Sequence, residues 1–418
     1  MIKLVRGFKD ILPPETGLWQ HVEAVARQLL EDFGFAELRT PLIEQTELFA
    51  RSIGAGTDIV EKEMYTFADR GGASLTLRPE ATASVVRAYI EHRMYAKDPA
   101  RKLYTMGPMF RRERPQKGRY RQFYQVNAEV FGLHDPKVDS EVMLLLMTFM
   151  DRLEIEGTRL HLNSLGCPEC RPGFRSTLES FVSDRSGQLC SDCERRQHQN
   201  PLRLFDCKVP RCREIMDNGP SIIDHLCKPC RDHFAGVRES LDRFQVAYQL
   251  NHRLVRGLDY YMRTTFEVAA ETLGAQDAVA GGGRYDGLVK ALGGPDQPGV
   301  GFAIGIDRLT GLLEERAPAF ERQPHLFIAA MGEQAQNMAF EWLQALRLQG
   351  IRAEMDFENR SLKSQMRRAN KLGASFSLIV GDRELDENAA VLRNMETKEQ
   401  EKIPLHDLVE HIAGKIKG

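Results

Sequence analysis

Residues 104–132, YTMGPMFRRERPQKGRYRQFYQVNAEVFG, decide the fold of this 418-residue chain. Their pattern predicts two strands joined by a basic loop. In the second strand, apolar residues alternate with Gln125, Asn127 and Glu129, which therefore share one face. Such a face is either solvated, as on many antiparallel sheets, or the wall of a polar pocket.

The connecting loop, residues 111–121, contains six Lys or Arg residues among its eleven positions. A charge run of this kind is commonly a solvated hairpin tip. The alternative is a phosphate site, because a planar guanidinium group can bind two phosphate oxygens at once and stays charged. In that case Arg111 stands at the strand end, and the loop reaches over a polyanion.

Length and composition predict a globular protein of two or three domains, since 42% of the residues are hydrophobic and 28% are charged. The net charge of −2 excludes a generally basic nucleic-acid binder, so any nucleic acid must contact local basic patches. No apolar run is long enough to span a membrane, and the first residues lack the apolar segment of a signal peptide. We therefore expect a cytoplasmic protein with reduced cysteines.

Two predicted elements precede the hairpin. A helix over residues 15–34 and a short strand over 35–42 are ordinary core elements by sequence alone. Residues 74–82 then predict a strand that leads into a helix, with Pro79 and Glu80 in its first turn. A carboxylate complements the helix dipole there, which is a sufficient structural reason for Glu80 without any ligand.

Three later segments combine glycine with polar groups. Residues 254–261, LVRGLDYY, predict a turn, although paired tyrosines are commonly half-buried core. The glycines at 281–283 lie in a predicted strand, where they suggest close approach of a ligand. Residues 299–309 predict a strand that runs into a helix near Arg308, where a cation needs an anionic partner. An exposed salt bridge to a neighbouring carboxylate is the alternative for this arginine.

From residue 324 the pattern changes to alternating strands and helices after a linker over 314–323, which predicts a separate small α/β domain. Its helix over 361–372 has an apolar face and a basic stripe. Such stripes are usually solvated, but this one could follow RNA phosphates. The stripe consists of Arg360, Lys363, Arg367 and Lys371.

All eight cysteines lie in one segment and form four close pairs, which is the spacing that tetrahedral zinc sites use. We expect one or two structural zinc ions, with the pairing open; the alternative is eight small buried thiols. The segment also looks short of apolar residues, and zinc loss is expected to loosen it before it harms catalysis. The pairs are Cys167 and Cys170, Cys190 and Cys193, Cys207 and Cys212, and Cys227 and Cys230.

The motifs together resemble a known family. Residues 110–113, FRRE, with the basic loop and 121–123, RQF, are similar to motif 2 of class II aminoacyl-tRNA synthetases. Residues 254–261 are similar to the histidine-specific signature of histidyl-tRNA synthetases of bacterial type. The helix and strand of 15–42 resemble motif 1, a dimer interface, and residues 299–309 resemble motif 3. The likeness covers essentially the whole chain and is weakest over about 166–234.

The resemblance implies an α/β (α+β) fold, built on an antiparallel sheet flanked by helices. It implies a catalytic domain in two parts, residues 1–165 and 236–322, around a cysteine-rich, mainly helical insertion at 166–235. An anticodon-binding domain follows at 324–418. The implied activity is ATP-dependent attachment of L-histidine to tRNA(His) through histidyl-adenylate, with Mg²⁺ and release of AMP and pyrophosphate, in a homodimer.

The resemblance also implies roles for individual residues. Arg111 and Arg256 are the expected catalytic residues and both also contact histidine, and Ala81 is limited to backbone contact. The other expected histidine-binding residues are Glu80, Thr82, Gln125, Glu129, Tyr260 and Tyr261. The expected ATP-binding residues are Arg111, Arg119 and Arg308; the expected tRNA-acceptor contacts are Arg114, Gln116 and Arg121; the expected anticodon contacts are Arg360, Lys363 and Arg367.

Two other functions are compatible with parts of this pattern. One is a catalytically silent paralogue that binds histidine and regulates a biosynthetic enzyme, but such proteins resemble only the catalytic domain and lose the signature residues. The other is a pure RNA-binding module, which needs neither the polar row at 125–129 nor Arg308. Histidine-dependent exchange of pyrophosphate into ATP separates the three.

Overall fold

The computed structural model describes residues 2–54, 56–116, 118–185, 187–199, 201–270, 278–358 and 360–417. The chain divides into two compact units, Met1–Phe320 and Glu321–Gly418. Among the described residues, no helix is both long enough and apolar enough to cross a membrane.

The first unit is built on a sheet in which eight strands take part within the described ranges. Its two outermost pairs are parallel and the five inner pairs are antiparallel, as predicted for an antiparallel sheet. In spatial order the strands are Ala36–Glu37, Arg101–Phe110, Gln122–Phe131, Gly299–Gly305, Ala278–Arg284, Met262–Ala270, Thr158–Ser164 and Tyr248–Leu250.

The hairpin that the sequence predicted lies inside this sheet. Arg101–Phe110 pairs with Gln122–Phe131 along their full lengths, with Gly107 opposite Gln125. Val126, Ala128 and Val130 are buried in the main apolar core. Because side chains alternate across a strand, Gln125 and Asn127 point to the opposite face. The predicted alternation is therefore confirmed.

Helices cover the apolar face of the sheet. The same core cluster contains side chains of the helices Glu15–Asp32, Pro136–Arg152, Lys228–Arg243 and Ile306–Leu312. Arg284 connects sheet and helix, because its fully buried guanidinium group donates to the equally buried carboxylate of Asp139. A buried arginine of this kind needs a paired carboxylate, so Arg284 serves the fold.

A small antiparallel sheet of Ile43–Gln45, Ser74–Leu77 and Tyr65–Ala68 lies in the N-terminal part. The helices Thr46–Ile53 and Thr82–Glu91 and the short π-helix Ile59–Glu63 accompany it, and Leu288–Ala291 forms another short helix. The predicted strand over 35–42 is wrong in length, because only Ala36–Glu37 pairs with the main sheet. Pro41, which has no N–H to donate, lies between that strand and the next one.

The insertion is helical, as predicted, but it is not short of apolar residues. It contains the helices Arg171–Ser183, Ser191–Gln199 and Pro210–Asp217 and the 3₁₀ turns Pro201–Leu204 and Ile222–His225. These elements bury a cluster of their own. Apolar residues that are scattered in the sequence pack together here, and no local pattern indicated this packing. The core consists of Phe174, Leu178, Val182, Leu189, Leu204, Phe205, Met216 and Ile222.

The second unit holds a five-stranded sheet within the described residues. Three parallel strands, Ala353–Met355, Leu326–Ala330 and Phe376–Val380, continue into the antiparallel strands Ala389–Asn394 and Gln400–Pro404. Its helices are Glu333–Leu348, Leu362–Lys371, Asp382–Asp386 and Leu408–Lys417. The predicted linker over 314–323 is partly wrong: Glu314–Phe320 forms a 3₁₀ helix that packs on the first helix of the first unit.

Candidate active site

A polar cavity of about 420 Å³ lies in the first unit. Side chains from the hairpin, the 80–82 turn, the 256–261 turn and the strand Gly299–Gly305 all reach it. It therefore gathers segments that are widely separated in the sequence. The predicted residues that line it are Glu80, Thr82, Arg111, Arg119, Gln125, Arg256, Tyr260, Tyr261 and Arg308.

Arg256 lies against the sheet. Its Nη1 donates to Oε2 of Glu267 at 2.9 Å, and its guanidinium carbon is 5.7 Å from the ring centre of Tyr261. A Cβ on Gly281 would lie only 2.3 Å from the same Nη1, so this glycine leaves the space that the arginine fills. Nε of Arg256 is buried and has no hydrogen-bond partner in the described part of the chain.

Three further arginines converge on the cavity. Arg111 donates from Nε to the Pro79 carbonyl at 2.9 Å, and Arg119 forms a 3.0 Å ion pair with Glu113. Arg308 donates to the carbonyl of Ala278, and within the described residues no salt bridge joins it to a carboxylate. Burial first, and then the charge of Arg119, lower the pKa of Arg308. Crowded, partly desolvated guanidinium groups favour a polyanionic ligand.

Two polar side chains of the cavity lining have atoms without a partner inside the protein. Oε1 of Gln125 and Nδ2 of Asn127 are buried, and neither atom finds a hydrogen-bond partner among the residues described. A buried polar atom without a partner is costly, so a ligand that bonds to these atoms would be stabilised. One free acceptor and one free donor, two residues apart on the same face of a strand, suit a small polar molecule.

Glu80 has the capping role that the sequence allowed. Its carboxylate accepts from the backbone N–H groups of Thr82 at 2.7 Å and Ala83 at 2.9 Å, at the start of the helix Thr82–Glu91. Burial raises its pKa, which these hydrogen bonds partly oppose. Glu80 also lines the cavity, whereas Ala81 is buried and does not.

Glu129 is buried outside the lining of the cavity. It accepts from Thr82 Oγ1 at 2.6 Å and from the hydroxyl of Tyr285. A Cβ on Gly301 would lie 1.9 Å from Oε2 of Glu129, so the neighbouring strand leaves room for the carboxyl group. Burial raises the pKa of Glu129 to about 8. The carboxyl group is therefore largely protonated near neutral pH.

The residues predicted to contact a tRNA acceptor end do not share one environment. Arg114 and Gln116 are exposed on the hairpin loop. Arg121 is half-buried: its backbone N–H donates to the Gly7 carbonyl at 2.7 Å and its Nη1 to the Arg6 carbonyl at 3.2 Å. The N-terminal segment thus holds the base of the loop through Arg121.

The basic stripe of the second unit is on the solvent side of its helix. Lys363 and Arg367 are exposed, while Ala369 is buried and Leu362 and Met366 pack beside it, as predicted. Arg360 forms an ion pair with Glu358, and its Nη1 lies 3.8 Å from Oδ2 of Asp356. The amphipathic prediction for this helix is confirmed.

The eight cysteines form two groups in space. One group is Cys167, Cys170, Cys227 and Cys230, and the other is Cys190, Cys193, Cys207 and Cys212. Within each group the four sulfurs lie within 4.8 Å of one another. Either group could hold a metal ion, since four convergent thiolates are a common zinc donor set.

Sequence reasoning missed one wall of the cavity. Arg203, Asp206 and Lys208 line it, although they belong to the cysteine-rich insertion. Arg203 also donates from Nη2 to Asp58 at 3.3 Å. The insertion lies outside the catalytic motifs in sequence, yet it contributes these three residues to the cavity lining. Local sequence carried no signal for this contact, which depends on tertiary packing.

The chain matches two protein families in sequence. Residues 7–168 and 214–309 match the family described as histidyl-tRNA synthetase. The chain belongs to the histidyl-tRNA synthetase family. Residues 325–415 match the family described as an anticodon binding domain. The unmatched stretch between 168 and 214 falls within the region where the resemblance was expected to be weakest, and it contains the second cysteine group.

Whole-chain relatives agree with this membership of the synthetase family. The chain is 59% identical over 416 residues to a histidine–tRNA ligase of Desulfatibacillum aliphaticivorans, covering 100% of this chain and 99% of the relative. It is 57% identical to a histidine–tRNA ligase of Desulforapulum autotrophicum, covering 99% and 97%. The solved structure of apo S. aureus histidyl-tRNA synthetase is 38% identical, with a TM-score of 0.83 and coverage of 99% and 100%. The predicted fold class is thus confirmed.

Proposed function

We propose that the protein attaches L-histidine to tRNA(His) at the expense of ATP. The observation that carries this function is whole-chain identity of 59% to a histidine–tRNA ligase. The cavity supports it independently, because four arginines suit a triphosphate and the free atoms of Gln125 and Asn127 suit a small polar amino acid. Coverage of the entire chain also distinguishes this function from that of a paralogue restricted to the catalytic domain.

The first step is attack of the histidine carboxylate on the α-phosphorus of ATP, which forms histidyl-adenylate and releases pyrophosphate. The protein mainly positions the two reactants and stabilises charge. Arg111 holds the α-phosphate and Arg256 approaches it from the other side, while Arg119 and Arg308 bind the outer phosphates. Their convergence on one cavity supports these roles.

Magnesium fits this cavity. Mg²⁺ usually binds through substrate phosphates and one or two carboxylates, and Glu113 and Glu267 both line the cavity. When bound, Mg²⁺ neutralises charge on the leaving pyrophosphate. Each of these carboxylates also forms an ion pair with an arginine, Glu113 with Arg119 and Glu267 with Arg256. These ion pairs orient the carboxylates within the cavity.

Histidine is placed by the polar part of the cavity lining. Glu80, Thr82 and Gln125 bind the amino-acid backbone, and Tyr260 lines the same cavity. Ala81 does not line the cavity, so its part is limited to the backbone between Glu80 and Thr82. Tyr261 and Glu129 read the two imidazole nitrogens. Glu129 is linked to the cavity wall through its hydrogen bond with Thr82, which supports its part in this site.

Exchange of labelled pyrophosphate into ATP tests this function. We expect exchange that depends on L-histidine and Mg²⁺ and that other amino acids do not support. A regulatory paralogue would bind histidine without exchange, and an RNA-binding module would do neither. Absence of histidine-dependent exchange in folded protein would reject the proposed function.

Glu129→Gln should weaken histidine binding much more than ATP binding. A change that leaves a buried polar group without its hydrogen-bond partner costs about 1–3 kcal/mol, so we expect the KM for histidine to rise about 5–150-fold. The KM for ATP should change less than about threefold. Steady-state exchange kinetics give both values. Equal losses for both substrates would assign Glu129 a purely structural role.

The second step transfers histidine to the terminal ribose of tRNA. Arg114, Gln116 and Arg121 on the hairpin loop lie near the acceptor end in this proposal, and Arg360, Lys363 and Arg367 contact the anticodon stem-loop. The exposure of Lys363 and Arg367 supports the second contact.

Reversing the stripe charges should separate tRNA binding from adenylate formation. Lys363→Glu with Arg367→Glu should raise the KM for tRNA and lower the slope of log affinity against log salt by about one per lost phosphate contact. Histidine-dependent exchange should not change. Arg383→Glu is the matched control, since Arg383 is an exposed cation on the separate helix Asp382–Asp386. Unaltered tRNA charging by the double variant would contradict the anticodon role.

The remaining proposals concern assembly and cofactor. We infer a homodimer, which sedimentation should detect as twice the 47.4 kDa chain mass. Structural Zn²⁺ is inferred for the cysteine groups. Zinc thiolates require reduced cysteines, and the cytoplasm, which we propose as the location of this protein, keeps cysteines reduced.

A further inference from the structure

The two cysteine groups have the dimensions of tetrahedral zinc sites. A Zn–S bond of about 2.3 Å gives a tetrahedron with edges of about 3.8 Å. The Sγ–Sγ distances are 3.6 Å for Cys167 and Cys170, 3.7 Å for Cys167 and Cys227, and 3.8 Å for Cys190 and Cys207. Disulfides would need about 2.05 Å, and iron–sulfur clusters would hold their cysteines farther apart because the cluster lies between them.

The pairing is nested. In sequence, the cysteines of the outer site, Cys167, Cys170, Cys227 and Cys230, flank those of the inner site, Cys190, Cys193, Cys207 and Cys212. Each site also has a backbone donor aimed at one sulfur. The N–H of Cys227 donates to Cys170 at 3.1 Å, and the N–H of Cys190 donates to Cys212 at 3.2 Å. Such second hydrogen bonds orient the ligands of a metal.

The inner site belongs to the apolar cluster that packs against the start of the turn at 254–261, which contains Arg256. Three of its cysteines share that cluster with Phe205, and Val255 packs against it. Arg253 donates from Nη1 to Asp217 at 2.5 Å and from Nη2 to the Phe205 carbonyl at 3.4 Å. These contacts hold residues 253–255, which immediately precede Arg256.

The inner site is adjacent in sequence to the insertion's wall of the cavity. Cys207 is buried between Asp206 and Lys208, and both neighbours line the cavity. Arg203, four residues earlier, lines it as well and contacts Asp58. Anchoring Cys207 to a metal would therefore hold this wall in place.

The outer site fastens the base of the insertion to the other end of the same turn. Arg171, next to Cys170, donates to the backbone carbonyl of Tyr261 and, at 3.4 Å, to that of Leu165. The N–H of Arg263 donates to the Gly166 carbonyl at 2.8 Å. Contacts from the two sites thus reach both ends of the turn at 254–261.

We propose that the eight cysteines bind two zinc ions in these nested sites and that the inner ion positions Arg256, so that adenylate formation depends on zinc. The dependence on the inner ion rests on the proposed function, whereas the stoichiometry and pairing do not. This proposal replaces the expectation that zinc loss would loosen the insertion before it harms adenylate formation. The cysteines are positioning residues, since none of them lines the cavity within the described part of the chain.

Metal analysis of the full-length protein tests the sites themselves. Protein purified without added zinc should contain about two zinc ions per chain. Cys190→Ser and Cys227→Ser, one from each site, should each retain about one ion after dialysis against EDTA. Both cysteines are only partly buried, which limits the damage to packing. A fully active wild-type protein without zinc, or with iron in its place, would overturn the proposal.

Kinetics of the same variants test the positioning of Arg256. A displacement of about 1 Å can cost about 10²-fold in rate, so zinc-depleted Cys190→Ser should lose about that factor in the kcat of exchange. Rates are normalised to active sites by adenylate titration, and the KM for histidine should change little. Cys190→His should restore both zinc and kcat, because a Cys₃His set also binds zinc.

Two outcomes separate this proposal from the proposed function. Wild-type protein with two zinc ions but no histidine-dependent exchange would reject the ligase function and leave the metal sites standing. An active enzyme in which zinc-depleted Cys190→Ser keeps wild-type kcat would reject the positioning role. Cys190→His that recovers zinc without recovering kcat would also reject it.

Discussion

Arg256→Ala is expected to lower histidine-dependent exchange by about 10²–10³-fold, because it removes a positive charge that stabilises the transition state. The Arg256 side chain lies against Gly281 of the strand Ala278–Arg284 and contacts Glu267 and Tyr261. Its loss therefore removes little packing from the apolar core. The effect should fall on kcat rather than on the thermal unfolding temperature. Single-turnover formation of adenylate measures it directly.

Two further variants test whether the loss of exchange comes from the missing Arg256 guanidinium group or from the unpaired Glu267. Arg256→Lys keeps the charge but loses the planar fork, so its activity should lie between those of the wild type and the alanine variant. Arg256→Ala with Glu267→Gln removes the carboxylate that the first change leaves unpaired. If the double variant regains activity, the loss came from Glu267, and Arg256 is not a catalytic residue.

Gly281→Ala should be almost as damaging, although it adds only one methyl group. The new Cβ would lie 2.3 Å from Nη1 and 2.8 Å from Cζ of Arg256, well inside contact distance. The guanidinium group must move, and a shift of about 1 Å can cost about 10²-fold in rate. Exchange kinetics should show a lower kcat, and circular dichroism should show a folded protein.

Gly287→Ala is the matched control. An added Cβ at Gly287 meets no atom within 4 Å, and the residue lies close by in sequence at the start of the helix Leu288–Ala291. Its activity should equal that of the wild type. A Gly281→Ala enzyme with normal kcat would show that Arg256 has more freedom than its contacts indicate.

The sequence predicted the parts of the fold that depend on local periodicity. Alternation over 123–131 assigned Gln125 and Asn127 to one face and Val126 and Ala128 to the core, and the structure agrees. Helical spacing likewise predicted the buried face of Leu362–Lys371. These predictions succeeded because a period of two or of 3.6 residues fixes the face of each side chain.

Other features depend on contacts between distant segments and left no local pattern. The same alternation that assigned Glu129 to the polar face could not show that Thr82 and Tyr285 bind its carboxyl group outside the cavity lining. Lys208 resembles any exposed lysine until the fold brings it to the cavity. Cysteine spacing likewise predicted metal-binding pairs but not which pairs combine, since adjacent and nested arrangements have identical spacing.

The nesting of the cysteine groups has a consequence for the order of events on the ribosome. A chain emerges from its N-terminus onward, so all four inner sulfurs are available once residue 212 has emerged. The outer group is complete only once Cys230 has emerged. The insertion can therefore close from the inside outward. The turn at 254–261 emerges only after all eight cysteines, so binding of the two proposed zinc ions can precede the folding of this turn.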